Sequence, residues 1–313
     1  MPSDRKILIT GLTGQIGHPV ARFLALDNEV WGVARYSADG SRERAEAIGV
    51  HPHVADLETG DYGDLPTDFT HLVHFAAWQG PAPDFDRAMR ANAEATGLLM
   101  AHCRHAEAAL IASTNTVYRP NEDPWHAYLE TDPLGDPTAP HSPTYAVSKV
   151  GQEAVARTMA RALDLPTTIA RINASYGPNG GLPAYHCDAV VAGHAVLLRS
   201  PDQSPYTPIH EEDLAGQVAP LLDAASAPAT IVNWCGDETV TAEQWCALFG
   251  ERLGIEPELS YYDLPGSQPG SAADPTKRLS LTGPCTVGWR DGMVAMLDIR
   301  AGLRPGSTHT AGA

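Results

Sequence analysis

The stretch Lys6-Ile7-Leu8-Ile9-Thr10-Gly11-Leu12-Thr13-Gly14-Gln15-Ile16-Gly17 decides the fold. Its first five residues, KILIT, are a short apolar run suited to a strand buried on both faces. Three glycines follow, and apolar residues then recur at helical spacing over 18–26. A strand, a glycine turn and a helix in that order bring free main-chain N–H groups and the positive end of a helix dipole to one point. The glycines allow a tight turn and close approach of phosphate. Gly11, Thr13, Gly14, Gln15, Ile16 and Gly17 are therefore expected to hold the pyrophosphate of a dinucleotide.

Further along, apolar runs at 30–34, 53–55, 71–77, 109–112 and 167–171 read as strands. They alternate with helical patterns at 86–102 and 144–163. This alternation predicts an α/β fold with a parallel sheet covered on both faces. After residue 176 Gly and Pro become frequent and the alternation weakens. A smaller C-terminal lobe is expected there, with helices at 184–198 and 241–253 and a strand at 231–235 between them. The boundaries read as 1–175 for the dinucleotide-binding domain, with later returns near 208–235. Residues 176–303 are then mainly lobe, and 304–313 a disordered tail. The loop 119–143, rich in Pro, Asp and Thr, is long enough to suggest function or mobility.

The 313 residues carry 38 acidic and 21 basic side chains, a formal net charge of −17. Such a surface repels phosphate backbones, so nucleic acid and anionic membrane are poor partners. An anionic small molecule would need locally placed donors. The five cysteines form no C-x-x-C pair and read as reduced thiols of a cytoplasmic protein. The start, MPSDRKILIT, has no secretory apolar segment, and no apolar run is long enough to span a bilayer. The thirteen histidines follow no ligand spacing, so no metal is expected.

The end of the second strand selects the dinucleotide. An acid there would bind a ribose 2′-hydroxyl, whereas an arginine suits a 2′-phosphate. The chain has Arg35 and Ser37 there, with Arg42 further on, and no acid. The reading favours NADP, with NAD as the alternative. Asp56 is placed either to bond the adenine edge or to cap a turn.

Tyr145 and Lys149 stand at i and i+4, on one face of a helix. A lysine ammonium one turn away stabilises a phenolate, which makes tyrosine a usable acid/base for a carbonyl or alcohol oxygen. Thr114, just after the fifth strand, is the hydroxyl expected to fix that oxygen.

The ordered set resembles the extended short-chain dehydrogenase/reductases, the superfamily of NAD-dependent epimerases and dehydratases. The matching segments are TGLTGQIG (10–17), VADL (54–57), HFAA (74–77), NAEATGLLM (92–100), STNTVY (113–118), YAVSK (145–149), RINASYGP (171–178) and PIHEEDLA (208–215). DPTK (274–277) and VGW (287–289) match more loosely. The resemblance implies Tyr145 as acid/base, Lys149 on the nicotinamide ribose and Thr114 as substrate partner. It adds Leu57, Ala76, Ala77 and Asn92 to the cofactor site, Asn92 as a helix-positioning or relay residue. It also implies a Rossmann-type doubly wound parallel sheet with a smaller C-terminal substrate-binding lobe, and a homodimer formed through the helix of the Tyr-Lys pair.

Departures from the family narrow the activity. Sugar-nucleotide dehydratases carry an acidic pair directly after the catalytic threonine, where this chain has Asn115 and Thr116. Water elimination is therefore not expected. An arginine that grips the substrate diphosphate is replaced by Tyr206, and a second has no match in 265–270. The expected substrate is thus a smaller or less charged carbonyl or alcohol, touched by Trp78, Thr116, Asn173, His186 and Tyr206. Trp125 is a further candidate for the substrate mouth. His186-Cys187 reads as a half-buried pair without chemistry in preference to a second acid/base couple. The leading expectation is an NAD(P)-dependent oxidoreductase. The alternative is a sugar or sugar-nucleotide epimerase, and the third reading is a non-catalytic dinucleotide sensor.

Overall fold

The computed structural model describes residues 4–81, 83–135, 143–199, 203–262, 268 and 270–303. The tail 304–313 and most of 265–270 lie outside the described residues. In chain order the strands are Lys6–Thr10 (β1), Glu29–Ala34 (β2), Val50–Val54 (β3), His71–His74 (β4), Ala108–Thr114 (β5), Thr167–Ile172 (β6), Ser175–Tyr176 (β7), Val196–Leu198 (β8), Pro205–Tyr206 (β9), Ile209–His210 (β10), Thr230–Trp234 (β11), Val240–Thr241 (β12) and Leu259–Tyr261 (β13). The helices are Gly17–Leu24 (α1), Ser41–Ala47 (α2), Phe85–Ala88 (α3), Ala95–His102 (α4), Tyr145–Ala162 (α5), Leu182–Val191 (α6), Glu211–Asp223 (α7), Ala242–Leu253 (α8), Thr276–Thr282 (α9) and Trp289–Arg300 (α10).

Seven strands form one sheet in the order β11-β6-β5-β4-β1-β2-β3, and every pairing is parallel. Alternation along β1 explains the two covered faces. Ile7 and Ile9 pack with Val20 and Leu24 of α1 and with Leu214 and Val218 of α7. Leu8 points the other way, into a cluster with Leu99 and Met100 of α4 and Ala156 and Ala160 of α5. Both faces are buried, so the strands read as continuous apolar runs. The strand order reverses between β1 and β4, which opens a crevice beyond their C-terminal ends. Among the described residues no helix is long and apolar enough to cross a membrane.

A third cluster lies outside the sheet. Trp245 and Phe249 of α8, Met293 and Met296 of α10, and Ala184 and Cys187 of α6 form its centre. The pair β8·β13 is parallel and β9·β12 antiparallel. The helix expected over 184–198 is divided. α6 ends at Val191, Gly193 turns the chain at φ +68°, and Val196–Leu198 becomes β8. The strand expected over 71–77 stops at His74. α9, which the sequence boundaries assign to the lobe, packs on α7 and β11 of the large sheet.

Between α3 and α4 the helix widens into a π-helical turn over Met89–Glu94. Such turns re-aim a side chain. Here Asn92 is wholly buried; its Oδ1 accepts from Trp78 N at 2.6 Å and its Nδ2 donates to Trp78 O and Ser148 Oγ.

Candidate active site

The glycine loop is held against the end of β4. Gly11 has φ +72°, and a Cβ there would lie 2.6 Å from Ala76 N. At Gly17 an added Cβ would meet Gly11 O at 2.3 Å, so α1 can start only on a glycine. Gly14 N donates to Gly11 O at 3.0 Å, and no side chain caps α1. The free N–H groups and the space above the loop fit a pyrophosphate. A buried chain fixes the β4 side. Thr10 Oγ1 bonds His74 Nδ1 at 2.7 Å and accepts from Ala76 N, while His74 Nε2 bonds Thr96 Oγ1. Burial first, and the Lys149 charge second, hold His74 down at about 3, so it stays neutral.

A cavity of about 420 Å³ opens beside this loop. Gln15, Ile16 and Ala77 line it from the glycine loop and the chain after β4, and Thr114, Thr116, Tyr145 and Lys149 line it from the end of β5 and from α5. Thr114 and Thr116 share a turn, with Thr116 N donating to Thr114 Oγ1 at 3.2 Å. Burial raises the Tyr145 phenol, and hydrogen bonds with Gln79 and Thr114 counter the rise. Lys149 is buried and donates to Ala112 O at 2.7 Å. Desolvation pulls its ammonium down to about 7 against the opposing charge of Glu153.

Glu153, one turn beyond Lys149, belongs to a buried network. Its Oε1 accepts from Ser113 Oγ at 2.6 Å and Arg171 Nε at 2.9 Å, and its Oε2 from Arg171 Nη2 at 2.7 Å. Arg171 Nη1 donates to Tyr118 OH, which donates to Asn233 Oδ1. The network ties α5 to β5, β6 and β11 directly behind the Tyr-Lys pair.

The other sequence candidates divide between cavity and scaffold. Asn173, His186 and Tyr206 line the cavity. Asn173 is also bound on three sides, by Ala174 N, Thr207 N and Ser271 O. His186 Nδ1 accepts from Trp245 Nε1 at 3.1 Å, and burial holds the ring down at about 4. Its neighbour Cys187 is fully buried, with its thiol pushed up to about 12. Trp78 does not line the cavity. Asn92 clamps its main chain from both sides and its ring lies under Arg87 at 5.4 Å. Asn92, expected at the cofactor, is sealed behind the wall as a positioning residue. Trp125 is exposed and lies away from the cavity. Arg35 and Ser37 are exposed after β2, and Arg42 pairs with Glu46 at 3.2 Å. Asp56 accepts from Glu58 N at 3.0 Å and caps a turn that begins at Leu57.

Three residues escaped the sequence reading. Gln79 bonds the Tyr145 phenol, and Arg199 lines the cavity from the lobe side. Arg44 faces the glycine loop across a hollow of about 190 Å³ shared with Thr13, Gly14 and Ser41. Arg44 sits on α2, whose polar sequence SRERAEA carries too weak an apolar stripe to be read.

The model of the NAD dependent epimerase/dehydratase family matches residues 7–230. The chain belongs to that family. A curated relative, the low-salt glycan biosynthesis protein Agl12 of Haloferax volcanii, is 32% identical over 190 residues, 55% of this chain. The match spans only 57% of that relative's length. Among solved structures, the UDP-glucuronic acid 4-epimerase of Bacillus cereus, in complex with UDP-glucuronic acid and NAD, superposes with a TM-score of 0.78 at 20% identity, over 94% of this chain and 99% of that one. The UDP-glucose 4-epimerase of Thermus thermophilus, in complex with NAD, gives 0.77 at 24% identity, over 94% and 99%. At these identities the structural likeness speaks for the fold.

Burial of Lys149 has a pH signature. At low pH the folded and unfolded chains both carry the charge, and the fold bears the cost of burying it. As pH rises past about 7 the folded state releases its proton first, and the cost is relieved up to the unfolded value of 10.5. Without dinucleotide, the stability of the parent relative to Lys149→Met should therefore improve from about pH 6 to about pH 9 in urea titrations. A pH-independent difference would contradict a desolvated ammonium.

Proposed function

We propose that this enzyme moves a hydride between a nicotinamide and a carbonyl or secondary-alcohol carbon of a small molecule, with Tyr145 as acid/base. The observation that carries this is the meeting of Thr114, Tyr145 and Lys149 with Gln15 and Ile16 in one cavity. When bound, the nicotinamide would accept or supply the hydride. The Tyr145 hydroxyl would exchange a proton with the substrate oxygen, which Thr114 would hold in place. The Lys149 charge would favour the phenolate and contact the nicotinamide ribose. No Asp or Glu lines the cavity among the described residues, which argues against an elimination base. Retention of both Tyr145 and Lys149 argues against a mere sensor.

A 4-epimerase, which returns the hydride to its own substrate, is the second reading. The names of the superposed structures favour it. Tightly retained dinucleotide with no net change in the reduced-nicotinamide absorbance would select it over a net oxidoreductase.

NADP is the proposed dinucleotide, supported by Arg35 and Ser37 exposed after β2, by Arg44 beside the loop, and by the lack of an acid at the strand end. A homodimer through α4 and α5 is proposed from the exposed Leu98 and Val147, and light scattering would report it. The five unpaired cysteines fit a reducing compartment such as the cytoplasm. Detection in an oxidising extracellular fraction would oppose that.

Tyr145→Phe should lower turnover about a hundredfold or more while the dinucleotide dissociation constant stays within a few-fold. Unchanged turnover would remove Tyr145 from the chemistry. Calorimetric titration should give tighter binding of NADP than of NAD, and Arg35→Ala should narrow the gap; tighter NAD binding would overturn the preference.

A further inference from the structure

The cavity inverts the charge of the protein around it. The chain has 38 acidic side chains against 21 basic ones. Among the described residues that line the cavity there is no carboxylate, and there are two cations, Lys149 and Arg199. Lys149 is bonded to Ala112 O. Arg199 is a separate charge. It follows β8 on the lobe side, is half-buried, and makes no ion pair with any described residue.

The cavity lining holds further donors. Trp245 Nε1 donates to His186 Nδ1, so the neutral imidazole carries its proton on Nε2. Tyr206 and Tyr262 add hydroxyls. The carboxylate of Glu243 does not line the cavity; its Oε2 accepts from Ser204 N at 3.1 Å, and its Oε1 is buried without a hydrogen-bond partner among the described residues.

We propose that Arg199 is the anion-recognition residue of the substrate site, and that the substrate carries a carboxylate or phosphate group seated on it. This rests on the hydride-transfer reading above for what happens at the other end of the substrate. It replaces the expectation of a less charged substrate. The arginine lost at Tyr206 is compensated from β8, and the −17 charge of the chain makes a local cation necessary for any anionic ligand. An arginine in a partly enclosed cavity binds either oxyanion by charge-assisted hydrogen bonds.

The test measures binding alone, on the dinucleotide-loaded protein, with three probes of similar size. Glucose 1-phosphate supplies a phosphate, glucuronate a carboxylate, and methyl glucoside no charge. At least one anionic probe should bind the parent more tightly than the neutral one and lose about tenfold or more in affinity in Arg199→Gln. Which probe responds identifies the anion. Arg199→Lys should recover part of the loss, and Arg199→Gln should keep the parent's dinucleotide affinity, which reports an intact fold. The readout is binding and not turnover, so failure of the hydride-transfer reading leaves this result standing. Equal affinity of the anionic probes for the parent and Arg199→Gln would overturn the proposal. So would no preference for either anion over the neutral probe.

Discussion

The ammonium of Lys149, buried in the lining of the cavity and held by the carbonyl of Ala112, is the constraint on which the site depends. A charge removed from water must be compensated by geometry, and a single carbonyl is a weak partner for it. The structure supplies the rest through Glu153. That carboxylate lies one helical turn beyond Lys149 and is fixed by Ser113 and by a two-pronged contact with Arg171. Moving α5 by a fraction of an ångström would break several of these bonds at once. The buried pair thus positions Tyr145 and Lys149 against the end of β5. Neighbouring strands β6 and β11 hold the network through Arg171 and Asn233.

The same end of the sheet provides the proposed dinucleotide seat. The reversal of strand order between β1 and β4 opens the crevice, and Gly11 and Gly17 bring the main chain close enough to leave it clear. Gln15 and Ile16 then connect that seat to the cavity over Tyr145. Thr10, His74 and Thr96 form a neutral hydrogen-bonded chain beneath it. The cavity is also lined by Leu197 and Leu198 of β8, by Arg199 after them and by Tyr206 of β9. In the proposed reading one cavity has its proton-handling end at Thr114, Tyr145 and Lys149 and its anion-binding residue, Arg199, just after β8.

Much of this was legible in the sequence where local pattern and local structure coincide. Ile7, Leu8 and Ile9 are buried on alternate faces, so their run marks a strand without ambiguity. Tyr145 and Lys149 are four residues apart on one helix, so their meeting needs no tertiary information. Asn92 and Trp78 were harder. Asn92 matches the family pattern and Trp78 was expected at the substrate, but a π-helical turn aims Asn92 at the main chain of Trp78, and neither lines the cavity. Arg199 was not legible at all. Its place in the cavity depends on Gly193 ending α6 and on β8 pairing with β13, two events of the tertiary fold. A positional comparison therefore saw only the arginines missing at Tyr206 and in 265–270.

The central claim is that the Tyr145 phenol, raised by burial in the free protein, becomes a usable acid/base once positive charge stands beside it. Ultraviolet titration of the phenolate band, taken as the difference between the parent and Tyr145→Phe, measures this directly. The account predicts that the Tyr145 phenolate forms at lower pH with oxidised dinucleotide bound than without it. A Tyr145 phenolate that forms at the same pH in both states, or at higher pH in the complex, would contradict it.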